Sequence, residues 1–91
     1  MKKWEVKYRK KIEKQLNKLP EDIQDVFDRV LERLELYGPC PEGWNVKKLA
    51  PYTYRLRLGY RYRLLYKVEN DKLIIELIYI GHRKNAYRKS F

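Results

Sequence analysis

Residues 53–68 read TYRLRLGYRYRLLYKV, and no other stretch limits the possible folds of the chain as tightly. Arg55 and Arg57 alternate with Tyr54, Leu56 and Leu58, and beyond Gly59-Tyr60 a second period-two series starts, with Arg63 and Lys67 among Tyr and Leu residues. Side chains along a strand point alternately to its two faces. The stretch therefore predicts two strands, Thr53 to Leu58 and Arg61 to Val68, joined by a tight turn, with one face apolar and the other cationic. The apolar face needs a cover. The cationic face carries Arg at positions where a purely structural strand could carry Thr or Ser.

The cover is written earlier in the chain. Ile12, Leu16 and Leu19 recur at helical spacing between Arg9 and Leu19, and Pro20 ends that run. A second helix starts near Pro20 with Glu21 and Asp22 in its first turn. It carries Ile23, Val26, Phe27, Val30, Leu31 and Leu34 on one stripe and closes at Gly38-Pro39. Trp4 to Tyr8 alternates as a short opening strand. Gly38 to Pro51, with three prolines and two glycines, reads as a loop that tucks Trp44 against the domain.

After Glu69-Asn70-Asp71-Lys72 comes LIIELIYI, apolar on both faces apart from Glu76, as befits a strand inside a sheet. Its Leu73, Ile75, Leu77 and Tyr79 set is expected to meet the helices, or the faces are reversed. The tail from Gly81 is polar and basic, with room for one helical turn. The predicted architecture is α+β over residues 1–91 as a single domain. A helical hairpin packs on a mainly antiparallel sheet ending in a three-strand meander, in the order β-α-α-β-β-β.

Composition narrows the partners. The 91 residues carry 22 Lys+Arg against 12 Asp+Glu, a net charge of +10 that favours ligands bearing phosphate or clustered carboxylates. With 44% hydrophobic residues and nine Tyr, this is a folded domain and not a basic disordered tail. Cys40 is the single cysteine, which excludes an internal disulfide and a cysteine-rich zinc cluster. No segment approaches the ~20 apolar residues of a membrane span, so a cytoplasmic protein without a membrane partner is expected. No metal site and no cofactor is expected either: there is no His/Cys cluster, no G-x-S-x-G, and no phosphate-cradling glycine loop.

What remains is a basic surface flanked by aromatics. In an antiparallel meander, where strands lie about 4.8 Å apart, Arg55, Arg57 and Arg63 can converge with Arg83, which follows the last strand. Guanidinium forks match phosphate oxygens in pairs. Arg61 and Lys67 extend the same basic series, although a basic sheet face also serves solubility alone. The lysines at 2, 3, 10, 11, 14 and 18 fall on helix faces or ends and read as solvated surface. His82, the single histidine, either passes protons, as the residue type does near neutral pH, or is a spacer beside Arg83. Tyr87 either moves a proton or takes a core or stacking role.

The segments Tyr54-Arg55-Leu56-Arg57-Leu58-Gly59, Tyr62-Arg63-Leu64-Leu65-Tyr66 and Gly81-His82-Arg83 with Tyr87, in this order of elements, resemble the RelE/ParE superfamily of bacterial and archaeal toxins. The likeness spans nearly the whole chain. It implies a RelE-like fold and the toxin role in a type II toxin–antitoxin pair, with a cognate antitoxin as partner. In the RelE branch such toxins cut mRNA in the ribosomal A site; in the ParE branch they bind and inhibit DNA gyrase. Carried over by position, Arg55 and Arg57 fall where the nucleases place basic residues, often Lys. Arg63 falls on the arginine of Y-R-x-x-Y, Arg83 on the late-strand arginine, and Tyr87 on the C-terminal tyrosine. The implied activity is a metal-independent endoribonuclease with Arg57, Arg63, Arg83, Tyr87 and His82 as catalytic candidates, and Arg55, Arg57, Arg61 and Lys67 as RNA contacts. Arginine cannot serve as a base, so proton transfer would fall to Tyr87 or His82.

Overall fold

The computed structural model describes residues 3–86. A short strand β1 (Glu5–Lys7) leads into helices α1 (Lys10–Asn17) and α2 (Glu21–Tyr37). Strands β2 (Val46–Ala50), β3 (Thr53–Leu58), β4 (Tyr62–Glu69) and β5 (Ile74–His82) follow, then a helical turn α3 (Arg83–Ala86). The five strands form one sheet in the order β1-β5-β4-β3-β2. β1 pairs parallel with β5, and the other neighbours are antiparallel. The α+β order predicted from sequence is present, with one strand more than expected.

That strand, β2, lies inside the segment read as a loop. Its VKKLA sequence has adjacent lysines and sits between prolines, so alternation alone does not reveal it. The pairing does: Val46 stands opposite Leu56 and Lys47 opposite Arg55. Edge strands tolerate such a polar sequence because half of their backbone and much of their side-chain surface remain in water.

Both helices cover one face of the sheet. Ile12, Leu19, Phe27, Val30 and Leu34 are buried against Leu56, Leu58, Leu64, Tyr66, Ile75 and Ile80. The stripes at spacings of three and four are what place those helical residues on one side. Trp44 packs against the same core, as anticipated. Lysines 10, 11, 14 and 18 are exposed.

Two contacts fasten the hairpin to the sheet. The Ile80 amide, on the part of β5 beyond its pairing with β1, donates to Gln15 Oε1 at 3.0 Å. Within the hairpin itself, Gln24 Nε2 donates to the Leu19 carbonyl at 3.0 Å and ties α2 to the connection after α1. Tyr66, fully buried, donates its phenol hydrogen to the Pro39 carbonyl and pins the loop after α2.

β5 departs from simple alternation. Leu65 and Tyr66, adjacent on β4, pair with Tyr79 and Leu77, so Ile78 is an extra residue in a β-bulge. Ile75 and Leu77 face the helices, and beyond the bulge Ile80 does so while Tyr79 turns to the opposite face. The expected set of Leu73, Ile75, Leu77 and Tyr79 is thus corrected at both ends. Leu73 precedes the strand, is exposed, and has a positive φ of 54°.

Gly38 ends α2 with φ 90°, and a Cβ there would stand 2.8 Å from Trp4 Nε1. The amides of Lys3 and Trp4 both donate to the Glu35 carbonyl, which holds the indole in that position. Gly38→Ala meets both a left-handed backbone and a clash, at a cost of about 1–3 kcal/mol. Thermal unfolding should show a Tm lower by roughly 5 °C or more. Burial pushes the phenols of Tyr66 and Tyr79 up from the ordinary tyrosine value. Their neutral forms therefore stabilise the fold fully below about pH 10, and that contribution is lost as pH rises, because the unfolded chain releases these protons first. Urea unfolding across the alkaline range should show stability falling above about pH 10, with a shallower fall in Tyr66→Phe.

Candidate anion-binding face

The face of the sheet turned away from the helices follows from the strand register. Thr53, Lys67 and Glu76 form one row, Arg55, Leu65 and Tyr79 the next, and Arg57, Arg63 and Gly81 the last. Arg57 and Arg63 stand directly opposite each other, and like charges so placed destabilise a sheet. No carboxylate sits opposite either of them in the register. The pair stays together because Leu56, Leu58 and Leu64, which alternate with it, are fully buried on the other side.

The arginines differ in their surroundings. Arg63 is 5% exposed, and its Nη1 donates to the carbonyls of Tyr60 at 3.1 Å and Tyr62 at 2.9 Å. Arg55 is also 5% exposed; its Nη2 donates to Asn45 Oδ1 at 3.2 Å, and its buried Nε has no hydrogen-bond partner among the described residues. Asn45 in turn accepts the Arg57 amide at 3.0 Å through its backbone carbonyl, so it ties the approach to β2 onto β3. Arg57 itself is exposed.

Arg83 reaches the same end of the sheet by another route. Its amide donates to the Arg61 carbonyl at 2.7 Å, which fixes α3 to the β3–β4 turn. Its Cζ lies 4.8 Å from the centroid of the Tyr60 ring, a cation–π contact. Arg63 and Arg83 thus both bear on Tyr60, one through its carbonyl and the other through its ring. Arg57 and Arg63 thus flank the turn of one hairpin, and Arg83 contacts that turn.

The remaining candidates divide. Arg61 lies in the turn and is exposed; it does not belong to a strand. Lys67 is exposed on the arginine side but two rows away, beyond Leu65. His82 stands opposite Tyr62, with their rings 5.7 Å apart, on the side of the sheet that faces the helices. Its Nδ1 accepts the Lys84 amide at 3.1 Å, a capping contact at the start of α3. His82 is thereby on the side of the sheet opposite Arg57 and Arg63. Tyr87 lies outside the described residues.

Two residues on this face escaped the sequence reading. Lys47 stands opposite Arg55 on the unanticipated strand β2. Tyr79 is brought over by the bulge; it is 6% exposed and packs with Leu65, Leu49 and Ile78. A Cβ at Gly81 would stand 2.5 Å from the Tyr79 hydroxyl oxygen, so the ring lies along the strand over Gly81, the residue opposite Arg63. Glycine at position 81 is what admits the phenol to this end of the sheet. Its hydroxyl donates to the His82 carbonyl at 3.5 Å, and burial raises its pKa, which keeps the phenol neutral.

Among the described residues no helix is long and apolar enough to cross a membrane, and no three His, Cys, Asp or Glu side chains are grouped to hold a metal.

Comparison with known proteins bears on the family and the fold. The family model of the ParE toxin of the type II toxin–antitoxin system parDE matches residues 6–87. Among solved structures, the chain is similar to the archaeal RelE–RelB complex from Pyrococcus horikoshii OT3, at 33% identity and a TM-score of 0.79, covering 91% of this chain and 98% of that one. The RelB–RelE antitoxin–toxin complex from Methanococcus jannaschii matches at 24% identity and a TM-score of 0.72, covering 89% and 94%. The isolated E. coli RelE toxin matches at 23% identity and a TM-score of 0.66, covering 94% and 93%. No curated protein sequence gives a significant match. The family match over nearly the whole chain, together with the fold, places this protein in the RelE/ParE superfamily, as a toxin of a type II toxin–antitoxin system.

Proposed function

We propose that the chain is a ribosome-dependent mRNA endonuclease that works without a metal and stops translation in the cytoplasm, and that a cognate antitoxin holds it in check. The observation that carries this reading is that Arg57 stands opposite Arg63 with no carboxylate across from either, while Arg83 contacts Tyr60 in the turn that joins their two strands. Bringing like charges together costs stability, and a polyanionic guest offsets that cost.

Cleavage proceeds by attack of a ribose 2′-OH on the adjacent phosphorus. The new bond closes a 2′,3′-cyclic phosphate, the bond to the 5′ oxygen breaks, one proton leaves the 2′-OH and one is delivered to the departing oxygen. The extra negative charge on the phosphorane-like transition state is what guanidiniums stabilise best. Arg57 and Arg83 are assigned to the phosphate. Arg63, held by two carbonyls, orients the turn and adds its charge. Tyr79, a neutral phenol beside Gly81, is assigned to the leaving oxygen as proton donor, and Tyr87 to the 2′-OH as proton acceptor. His82 fits a capping role better than a proton-transfer role. Need for the 2′-OH restricts the substrate to RNA.

The alternative is inhibition of DNA gyrase by binding, favoured by the match to the ParE family model. On that reading the same face would be a protein contact. As for the antitoxin, the neighbouring structures include toxin–antitoxin complexes. A partner with acidic segments would be drawn to a +10 toxin.

Expression of the chain alone, followed by pulse labelling, separates the two targets. The proposal expects protein synthesis to collapse before DNA synthesis, with messages cut on purified translating ribosomes. Arg83→Ala should lower the cleavage rate at least about 100-fold, the scale of losing one transition-state donor, with the fold intact by circular dichroism. Collapse of DNA synthesis first, with messages left whole, would favour gyrase.

A further inference from the structure

A second recognition element adjoins the arginines. The hairpin tip that carries Gly59, Tyr60 and Arg61 comes close to the start of α2: a Cβ at Gly59 would lie 3.2 Å from Ile23 Cδ1. Between them is a cavity of about 280 Å³ lined by Pro20, Asp22, Ile23, Tyr60, Arg61 and Tyr62. Tyr60 is 74% exposed, and the guanidinium of Arg83 occupies one face of its ring. With Tyr60 74% exposed, most of the ring surface that Arg83 does not cover is in solvent. Among the described residues, neither packing nor a hydrogen bond of its hydroxyl accounts for so large an exposed aromatic at the tip.

The polar lining has a definite complementarity. Asp22 is a carboxylate, which only accepts hydrogen bonds, through two oxygens side by side. Of the four RNA bases, guanine alone presents two adjacent donors on its Watson–Crick edge, N1–H and the N2 amino group. Adenine and cytosine pair one donor with an acceptor there, and uracil sets one donor between two acceptors. The other edge of guanine carries O6 and N7, both acceptors, and guanidinium donors suit that pair. Arg61 supplies such donors from the same lining. Stacking on an aromatic ring adds affinity for any base.

We propose that this cavity is a nucleobase subsite selective for guanine. Tyr60 stacks on the base, Asp22 accepts from N1–H and the N2 amino group, and Arg61 donates to O6 and N7. The subsite extends the RNA-binding reading and depends on it. Arg83 joins the two places, since it touches the ring that lines the subsite and belongs to the arginine group that takes the phosphate. The choice of message sequence would then be made at the hairpin tip, while the arginines act alike on every phosphate.

The test uses the full chain and four fluorescent RNA pentanucleotides that differ in the central base, 2′-O-methylated there to prevent cleavage, at fixed ionic strength. The guanine oligonucleotide should bind roughly tenfold or more tightly than the other three, the scale of one bidentate base contact. Asp22→Asn replaces one acceptor by a donor and should abolish the preference. Arg61→Ala should reduce it, and Tyr60→Ala should weaken all four oligonucleotides alike. Asp22, Tyr60 and Arg61 are exposed, so thermal melts of the variants should match the unsubstituted chain. Equal binding of the four oligonucleotides, or a guanine preference that survives Asp22→Asn, overturns the subsite and leaves the nuclease reading standing. No binding of any oligonucleotide, with messages intact on ribosomes, overturns both.

Discussion

The pleat of the β3–β4 hairpin is the constraint on which the rest depends. Each strand commits one set of side chains to the helices, and the residues between must face the other way. Leu56, Leu58 and Leu64 are fully buried. With those leucines fixed, Arg57 and Arg63 have no alternative to standing across from each other. A one-residue slip would turn the arginines into the apolar core under the helices and the leucines away from it, an exchange the fold cannot sustain. Repulsion between guanidiniums is thus tolerated because hydrophobic burial on the opposite face outweighs it. Cross-strand pairs are worth about 0.2–1 kcal/mol, whereas each fully buried leucine contributes about 1.5–3 kcal/mol.

The bulge at Ile78 is the second determinant. Before it, β5 sends Ile75 and Leu77 to the core; after it, Tyr79 and Gly81 join the arginine face while Ile80 returns to the helices. One extra residue therefore moves a buried phenol into the row next to Arg63 and makes a glycine necessary at position 81. The same shift leaves His82 opposite Tyr62, on the other face from Arg57 and Arg63. The geometry of the candidate site is set as much by this irregularity as by the regular ladder.

Much of this was legible in the sequence for identifiable reasons. The helices follow from apolar stripes and from Pro20 and Gly38, and β3 and β4 from strict alternation. The pairing of Arg57 with Arg63 follows from alternation combined with a short turn. β2 was not legible, because an edge strand with consecutive lysines needs no period. The position of Tyr79 was hidden because LIIELIYI is apolar at both phases, so nothing in its pattern marks where a bulge changes the face. His82 seemed to belong with Arg83 because the two are neighbours in the chain, whereas adjacent residues at the end of a strand point to opposite sides. Tyr60 is exposed at the turn, and no rule of periodicity separates a solvent-facing turn aromatic from one that stacks on a cation.

The central claim is that Arg57, Arg63 and Arg83 act together as one receptor for the phosphates of RNA. It is tested most directly by the salt dependence of binding to a single-stranded RNA oligonucleotide. If Arg57 and Arg83 take the phosphates beside the charge of Arg63, the logarithm of the association constant should fall with the logarithm of salt at a slope of about −1.4 or steeper, and Arg57→Ala or Arg83→Ala should each make the slope shallower by about 0.7. A slope left unchanged by both substitutions, but reduced by replacing the lysines of α1, would contradict the account.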